Sequence, residues 1–524
     1  MFKSYEKFRA FTSEGVAKDD QDVKRLKVVQ TACSDSNSYF LFNSGAVYAT
    51  GANDRWQCSE IEEAKADMDL IDEDYLRPAR MDEKELAERG GAVIPECAAE
   101  IIKEVQRMQS IGTPYMVPIF KKDMKQDLQI KQISAGAHHV LAVSVDGQCY
   151  GWGDNEYGQL GLGRLLLDGD HCCVERPTLL KDLLDKKILM TASGRSHSLF
   201  LSELGQVYAA GYNEFGQLGI RSEPLRMRLN RDEAGGYLQT YMHSKTKSTP
   251  QRVEVENIRF VAAGDSHSLA ISDSSTDGKQ QSELYSWGWG AFGQLGHSKI
   301  RNSYNLDRPK KVKFRDAIGT KIAFVAAGSK HTICIDLQGR LWYFGCKLSV
   351  GIRERTKLQF EPVLLQPANR SECPLFEQGF VLIDADADSN IAICAADNSV
   401  HCFGQGQMQR TQDEQLEDEY QSDEDELNDS GGIDLDQKVH QTTFQRIVVK
   451  GRDLSASYVS IGPGHALAAE SSKTIPYSWG SNASGQLGLG RTEKTEGQNI
   501  SVDYTSHLNT VAQNQGPHIV EKPK

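Results

Sequence analysis

The sequence lacks long apolar runs and paired cysteines. No stretch approaches the roughly 18 consecutive apolar residues that span a bilayer, and residues 1–20 contain no continuous apolar core typical of a secretion signal. The 11 cysteines form no Cys-x-x-Cys pair, so neither a zinc site nor a disulfide framework is indicated. We therefore expect an unsecreted, cytoplasmic protein without membrane insertion, whose cysteines are mostly reduced and buried.

The sequence also lacks the common catalytic signatures. It contains no G-x-S-x-G, no H-E-x-x-H, no phosphate-binding P-loop and no dinucleotide fingerprint. The acidic segment of residues 411–440 lacks the spacing of oxygen ligands that an EF-hand requires. We predict no catalytic residue, no cofactor and no metal, and therefore a protein that is not an enzyme.

Outside a single segment, the chain has almost no excess of one sign of charge. Residues 412–436 contain 12 acidic residues and no basic one, so the net charge of −13 leaves only −1 for the rest of the chain. Residues 1–27 mix basic with acidic side chains, and no Lys/Arg cluster follows them. Direct binding of nucleic acid is therefore not expected, because it needs a concentrated basic surface.

What the chain does contain is one block repeated seven times. Residues 133–163 read ISAGAHHVLAVSVDGQCYGWGDNEYGQLGLG. Clear copies follow at 191–220, 261–296 and 460–490, and weaker ones lie at 32–54, 325–345 and 384–404. Without the insertions each unit has about 50 residues, a length typical of a propeller blade.

Each unit has the same succession of local signals. Alternating apolar residues and glycine turns predict three strands, and a Pro-x-x-apolar segment, which we place at the start of the unit, predicts an outer strand. Stacking such sheets in a ring buries both of their apolar faces. The fold class is therefore all-β, a seven-bladed β-propeller of four-stranded antiparallel blades. The segments with this signal begin at Pro118, Pro177, Pro250, Pro309 and Pro362.

The propeller is predicted to span residues 28–524, after an N-terminal extension of residues 1–27. Residues 517–522 repeat the outer-strand pattern, and the first unit has no convincing copy of it, so we predict that this segment completes the first blade and closes the ring. Insertions are predicted at 60–113, which has helical spacing, at 221–247, which is basic, and at 411–440, which is acidic.

Three residue types recur in register, and a role repeated in every blade is a structural one. A glycine precedes a histidine by three residues, and we expect the histidine to hold its turn by hydrogen bonds. A leucine within G-Q-L-G is expected to fill the space between blades. The glycines are Gly136, Gly194, Gly264, Gly328 and Gly462; the histidines are His139, His197, His267, His331 and His465; the leucines are Leu160, Leu218, Leu295 and Leu487.

These motifs resemble the RCC1 (regulator of chromosome condensation 1) repeat. The combination of G-x-x-H, an aromatic-Gly pair and N-x-x-G-Q-L-G covers about two thirds of the chain, and four copies of G-Q-L-G stand in register. The resemblance implies a seven-bladed propeller. It also implies an alternative function, nucleotide exchange on a Ran-type small GTPase through one propeller face and an inserted wedge.

The residues at the positions that matter for nucleotide exchange match the exchange factors only in part. The position directly before each repeat histidine, where the exchange factors include an aspartate, holds His138, Ser196, Ser266, Lys330 or Gly464, and Asp265 lies one residue away. The basic insertion, with Arg226 and Arg228, is a candidate wedge and equally a solvated loop.

We therefore favour a protein-interaction or scaffold propeller, itself monomeric and a subunit of a larger cytoskeletal or ciliary assembly, with a nuclear exchange factor as the alternative. Its protein partner is not identified by the sequence. Ile101, Val105 and Met108 lie on one face of the predicted helix and are candidate partner contacts, together with Arg226, Arg228 and Asp265. Ser422, followed by four acidic residues, is a candidate phosphorylation site.

Overall fold

The structure is a computed structural model that describes most of the repeat units. The described residues are 27–59, 110–119, 128–163, 172–221, 230–231, 237–238, 246–276, 279–298, 304–314, 320–352, 356–367, 373–404, 441–442, 444–449, 452–470 and 476–488.

Seven antiparallel sheets form the predicted ring. The first strand of each sheet lines a central channel and neighbours the first strand of the next sheet, and the seventh sheet neighbours the first. The fold is therefore the all-β, seven-bladed propeller that the repeats predict, and we number the blades in chain order.

The first four blades each have four described strands. Blade 1 has β1 (Val28–Cys33), β2 (Asn37–Phe42), β3 (Val47–Ala52) and β4 (Ser110–Met116); blade 2 has β5 (Ile130–Ala135), β6 (His139–Ser144), β7 (Cys149–Asp154) and β8 (Cys173–Leu179). Blade 3 has β9 (Ile188–Ser193), β10 (His197–Ser202), β11 (Val207–Tyr212) and β14 (Thr246–Arg252); blade 4 has β15 (Ile258–Ala263), β16 (His267–Thr276), β17 (Lys279–Gly288) and β18 (Leu306–Lys311).

The last three blades follow the same plan. Blade 5 has β19 (Ile322–Ala327), β20 (His331–Asp336), β21 (Leu341–Cys346) and β22 (Leu358–Leu364); blade 6 has β24 (Phe380–Asp386), β25 (Ser389–Cys394), β26 (Val400–Gly404) and β28 (Gln445–Arg446); the described part of blade 7 has β31 (Tyr458–Ile461), β32 (His465–Ala469) and β33 (Tyr477–Gly480). Two-stranded pairs are β12 (Asn230–Arg231) with β13 (Tyr237–Leu238), β23 (Gln366–Pro367) with β27 (Gln441–Thr442), and β29 (Val448–Val449) with β30 (Arg452–Asp453).

The second strand of each blade explains why the sequence folds this way. In β6, β10 and β20 every residue is buried, because neighbouring blades cover both faces of the sheet. The apolar clusters accordingly run across blade boundaries: one joins Leu218 and Val253 of blade 3 with Trp287 of blade 4 and Trp342 of blade 5. Burial between blades, not within a single blade, therefore provides the core.

The order of strands within a blade differs from the prediction. We placed the Pro-x-x-apolar segment first in each unit, yet the strand that contains it is the last of its blade and pairs with the third strand. Repeat patterns reveal the succession of strands but not their pairing, so the sequence does not determine which strand begins each blade. In blade 1 the outer strand is β4 with Pro114, and Pro118 follows that strand.

This order also changes the predicted closure of the ring. Residues 517–522 lie outside the described residues, and the place that we predicted for them, the outer position of blade 1, is occupied by β4. Among the described residues, side chains connect blade 7 directly to blade 1. Ser460 accepts a hydrogen bond from the Cys33 amide at 3.0 Å, and the Thr50 hydroxyl lies 2.8 Å from the Gly485 carbonyl oxygen.

Two insertion boundaries shift as well. Residues 110–113 belong to β4, and residues 246–247 belong to β14, so the insertions at these places end at 109 and 245. The predicted helix within 60–113 and the acidic insertion at 411–440 lie outside the described residues. The one described α-helix is α1 (Cys373–Gln378), which lies between blades 5 and 6.

Candidate interaction face

The repeat histidines connect neighbouring blades rather than their own turns. Nε2 of His197 lies 2.9 Å from Oγ of Ser268, which donates its own proton to the Gln217 carbonyl at 2.7 Å, so the imidazole must be the donor. The same geometry joins His267 to Thr332 at 3.0 Å. His139, His331 and His465 reach Ser198, Asn390 and the Asn37 carbonyl of the next blade.

Each repeat glycine makes room for this histidine. A Cβ built on Gly194 would lie 2.2 Å from Cε1 of His197 and 2.5 Å from the carbonyl oxygen of Gly264 in the next blade. Gly136 and Gly264 are equally crowded. Glycine is therefore required because the imidazole and the next blade's backbone both contact its Cα.

Burial keeps the histidines neutral. Desolvation lowers the pKa of His139, His197 and His267 to about 3 and that of His465 to about 4, and it also lowers the pKa of His331. With Nε2 bonded across the blade boundary and no solvent access, these side chains cannot exchange protons with a substrate. Within the described part of the chain no group of three His, Cys, Asp or Glu residues is arranged to hold a metal ion.

The N-x-x-G-Q-L-G segment forms a closed loop that leans on the next blade. In blade 3, Asn213 accepts a hydrogen bond from the Leu218 amide at 3.0 Å and Gln217 accepts one from the Phe215 amide at 3.0 Å. The Gln217 carbonyl also accepts a hydrogen bond from the Trp287 indole of blade 4 at 2.9 Å. The repeat leucines are fully or almost fully buried, as Leu160, Leu218, Leu295 and Leu487.

Blade 1 keeps this geometry with other residues. Trp56 and Ser59 stand where blade 2 has Gly158 and Gly161, and both adopt the positive φ of those glycines, at 62° and 72°. Cys58 takes the leucine position and is fully buried. The loop shape is therefore fixed by the surrounding blades even where the sequence departs from the pattern.

Two faces of the ring have different characters. On one, the connection between the first and second strands meets the connection between the third and fourth, as where the Asp154 amide donates to the His138 carbonyl at 2.9 Å. We call this the loop face. On the other, the turn face, tight hairpin turns such as Asp146-Gly147 meet the links between blades.

All three large insertions connect to the loop face. The described chain leaves a third strand or its G-Q-L-G loop at Ser59, Arg221 and Gly404, in each case before the outer strand of the same blade. The loop face is consequently where this chain differs most from a plain repeat.

A chain of half-buried aromatic rings crosses the loop face of blades 2, 3 and 4. Ring centroids are 5.0 Å apart for Tyr157–Tyr212, 6.4 Å for Tyr212–Phe215, 5.6 Å for Phe215–Trp289 and 5.1 Å for Trp289–Phe292. We call these five residues the aromatic arc. The ammonium group of Lys330, from blade 5, lies 4.9 Å from the Phe292 centroid and extends it.

Beside the aromatic arc, the central channel opens on the loop face among carboxylates. The channel encloses about 1100 Å³. Arg195 lies between Asp35 and Asp265, 3.9 Å from each, and Asp386 is close enough for their charges to act on it. The pKa of Asp386 is raised well above its usual value, mainly by desolvation and to a smaller extent by the charges of Asp265 and Asp35. We call this group the channel mouth.

Of the six predicted contact residues, the structure describes only Asp265. Asp265 lies in the channel mouth, where burial raises its pKa and Arg195 opposes that rise. Ile101, Val105, Met108, Arg226, Arg228 and Ser422 lie outside the described residues.

The aromatic arc was not predicted from the sequence. Its signal was present, because Tyr157, Phe215 and Phe292 each precede the glycine of G-Q-L-G, whereas blade 7 has Ser484 there and blade 1 has Arg55. These aromatic residues lie within the strong repeat motif and were attributed to it, although the loop does not need an aromatic side chain at this position. Within the described residues, no helix is long and apolar enough to cross a membrane.

Comparison with known proteins gives consistent relatives. A sequence model described as RCC1-like domain matches residues 11–427. The human Probable E3 ubiquitin-protein ligase HERC4 is 26% identical over 322 residues, which cover 61% of this chain but only 27% of that protein. The Arabidopsis thaliana Ultraviolet-B receptor UVR8 is 30% identical over 244 residues, 46% of this chain and 47% of that protein.

Solved structures show the same fold. The crystal structure of human WBSCR16 matches with a TM-score of 0.53 and 20% identity, covering 74% of this chain and 83% of that one. A chain in the crystal structure of Kap60 bound to yeast RCC1 (Prp20) matches with a TM-score of 0.50 and 19% identity, covering 72% and 70%.

Proposed function

Because the chain belongs to the family of RCC1-like domains, we propose that it is a non-enzymatic propeller that binds protein partners through its loop face. The observation that carries this proposal is the aromatic arc. Aromatic side chains dominate the energy of protein interfaces, and here five of them lie half-buried in one continuous row beside a charged channel mouth.

The arc is separate from what the fold requires. Closure of the N-x-x-G-Q-L-G loop uses the backbone amide of Tyr157, Phe215 and Phe292, not their rings, and Ser484 of blade 7 makes the same bond at 2.9 Å. Trp289 likewise uses its amide, which donates to Ser266 at 2.8 Å. Since a serine suffices for the loop, the rings are free to serve an interface.

The test is co-purification from the cells that make this protein, quantified by mass spectrometry at equal amounts of folded protein. The double variant Trp289→Ala/Phe292→Ala should retain the specific partners at least about tenfold less well than wild type, since a buried aromatic contact contributes about 1.4 kcal/mol or more. Leu204→Ala is the matched control, because Leu204 is a large apolar side chain exposed on the turn face. Equal retention by the arc variant, or loss by the control, contradicts the proposal.

The alternative function is nucleotide exchange on a Ran-type small GTPase. Asp265 supports it, because its half-buried carboxylate stands on the loop before His267 and at the channel mouth. Release of a fluorescent guanine nucleotide from such a GTPase should not accelerate under our proposal. Strong acceleration that Asp265→Ala abolishes, and that Asp273→Ala near the turn face leaves intact, would establish the alternative instead.

We further propose a place in a larger cytoplasmic assembly, of the cytoskeletal or ciliary kind. We base this proposal on the three insertions, which all connect to the loop face where we place the partner contacts. Imaging of the tagged protein at its native level tests the compartment, and a nuclear signal would favour the alternative function. Deletion of residues 60–109, which spares β4, tests whether that insertion contributes a partner contact.

A further inference from the structure

Lys131 brings an ammonium group into the wall of the central channel, near the turn face. It is the second residue of β5, and the amide of the preceding Ile130 donates to the Gly45 carbonyl in the blade 1 turn at 3.2 Å. Ile130 and Gln132 pair with consecutive residues of β6, so Lys131 is the extra residue of a bulge. Bulges re-aim side chains, and here both Lys131 and Gln132 line the channel.

The Lys131 side chain is buried without a partner. The residue is only 5% exposed. Within the part of the chain that the structure describes, no group forms an ion pair or a hydrogen bond with its ammonium group. Desolvation lowers the pKa of Lys131, and the charges of Glu203 and Asp146, which lie beyond ion-pair distance, offset this only in part. A buried cation of this kind costs stability unless an anion accompanies it.

A second cation at the same level of the channel has its partners. Arg259 is the extra residue of the equivalent bulge in blade 4. Its Nε donates to the Asp273 carboxylate at 2.8 Å, and its guanidinium also donates to the Ile322 carbonyl at 2.6 Å. The channel wall therefore neutralises Arg259 from within, whereas Lys131 lacks an anion from the described chain.

Between Lys131 and the channel mouth, the channel offers an apolar surface. Phe260 and Phe324 line it with ring centroids 4.6 Å apart, and Met190 and Leu382 flank them in the neighbouring blades. Binding sites for small molecules typically combine such an apolar wall with a few polar groups that fix the orientation of the ligand. The channel volume of about 1100 Å³ is ample for a ligand of this kind.

The charges select the sign of that ligand and its orientation. At the channel mouth, three carboxylates surround one guanidinium, so this end repels an anion. At the other end, the unpaired ammonium of Lys131 attracts one. A single cation balances a single negative charge, and Glu203 and Asp146 oppose a second one. A carboxylate therefore fits better than a doubly charged phosphate.

We propose that the central channel binds an organic monocarboxylate, whose carboxylate pairs with Lys131 and whose apolar body lies against Phe260 and Phe324. This inference is independent of the proposed function, since it concerns the interior of the ring and not the aromatic arc. Loss of partners from the arc variant and loss of ligand from a channel variant are separate results.

Titration calorimetry of the full chain with octanoate tests the proposal, and octanol is the neutral molecule of the same chain length. Wild type should bind octanoate at least about tenfold more tightly than octanol, because the ion pair forms in a largely desolvated site. Phe324→Ala should weaken the binding of both molecules, since both use the apolar wall. Equal binding of the two molecules by wild type, or no binding of octanoate, would overturn the proposal.

Variants of Lys131 identify the group that pairs with the carboxylate. Lys131→Met keeps the length of the side chain and should reduce octanoate binding to the level of octanol, whereas Lys131→Arg should keep the preference. Lys187→Met is the matched control, because Lys187 is exposed on the turn face and does not line the channel. If Lys187→Met removes the preference as Lys131→Met does, octanoate binds at the surface and the proposal is wrong.

Thermal unfolding without ligand supplies a readout that does not depend on the choice of probe. Lys131→Met should raise the Tm, because it removes an unpaired buried charge and keeps the packing of the side chain. Lys187→Met should leave the Tm unchanged. If Lys131→Met lowers the Tm, the protein itself stabilises the ammonium group through Glu203 and Asp146, which contradicts a site kept for a ligand.

Discussion

The boundaries between blades 2, 3, 4 and 5 and the two that follow blades 1 and 6 hold one ring together with different side chains. Between the former, a buried histidine forms a hydrogen bond with a hydroxyl of the next blade. Blade 1 has Asn37 at the histidine position, and there the boundary relies on Gln30, which exchanges two hydrogen bonds with the Ile133 backbone at 2.8 and 3.0 Å. Gln132 makes the same exchange with Thr191 between blades 2 and 3, in addition to the histidine. Blade 6 has Ser389, and Asp384 instead accepts from the Ile461 amide at 3.0 Å.

The repeated signature is therefore one structural solution among several. What every boundary needs is a buried polar bridge and a filled apolar space, and both can be met without histidine or leucine. Function therefore has to be sought among residues that the repeat does not require, which are those of the loop face. Substitutions at matched positions on the two kinds of boundary test whether their side chains are equivalent.

The largest effect is expected from removing a leucine of the regular boundaries. Leu218→Ala leaves a cavity beside Trp287 and Val253 and should cost about 3–5 kcal/mol of unfolding free energy, measured by denaturant unfolding. Cys58→Ala, at the same position of blade 1, removes less volume and should cost about 1–2 kcal/mol. Equal costs would show that the leucines are not the main contact between blades.

Adding a methyl group to the glycine of a regular boundary comes next. Gly194→Ala should cost about 1–3 kcal/mol, because its Cβ would overlap His197 and the Gly264 carbonyl. Gly464→Ala is the matched control: it is also a glycine of a repeat turn, and its Cβ would approach only Ser481, at an ordinary 3.4 Å. A cost for Gly464→Ala as large as for Gly194→Ala would contradict the crowding argument.

The buried histidines predict that stability depends on pH at the boundaries that contain them. Their folded pKa values lie below the unfolded value of about 6.5, so the unfolded state binds more protons, and stability falls as the pH drops below about 6.5. Each histidine contributes up to about 1.4 kcal/mol per pH unit. His197→Asn, which copies blade 1, should cost about 1–3 kcal/mol at pH 7 and less at pH 5.

Unfolding of wild type and His197→Asn at several pH values checks this expectation. His138→Asn is the control, since His138 is half-buried and lies on the loop rather than in the boundary. The carboxylates of the channel mouth change stability in the opposite direction and are common to all variants. Parallel pH profiles for wild type and His197→Asn would refute the neutral, buried histidine.

The smallest effect is expected at the channel mouth. The raised pKa of Asp386 means that its stabilising contribution is lost as the pH rises through the folded pKa, so Asp386→Asn should raise the Tm at pH 8 by about 1–2 °C. The amide can still accept the Ala387 N–H, now 2.7 Å from Oδ1. Asp397→Asn should not raise the Tm, because the pKa of Asp397 is lowered instead.

The fold was predictable because its signals are local and repeated. Alternation in β6 and β10 and the glycine turns identify strands without any knowledge of their partners. Pairing is not local, which is why Pro118 was taken for a strand residue in place of Pro114, and why the histidines were expected to hold their own turns. The aromatic arc joins three blades, so no single unit displays it.

The most direct test compares His197→Asn with Trp289→Ala/Phe292→Ala in one experiment that records both the Tm and the partners retained from native cells. We expect a lower Tm with partners kept for the histidine variant, and for the arc variant a loss of partners that persists when equal amounts of folded protein are compared. A histidine variant that folds as stably as wild type yet loses its partners, or an arc variant that keeps them, would contradict this expectation.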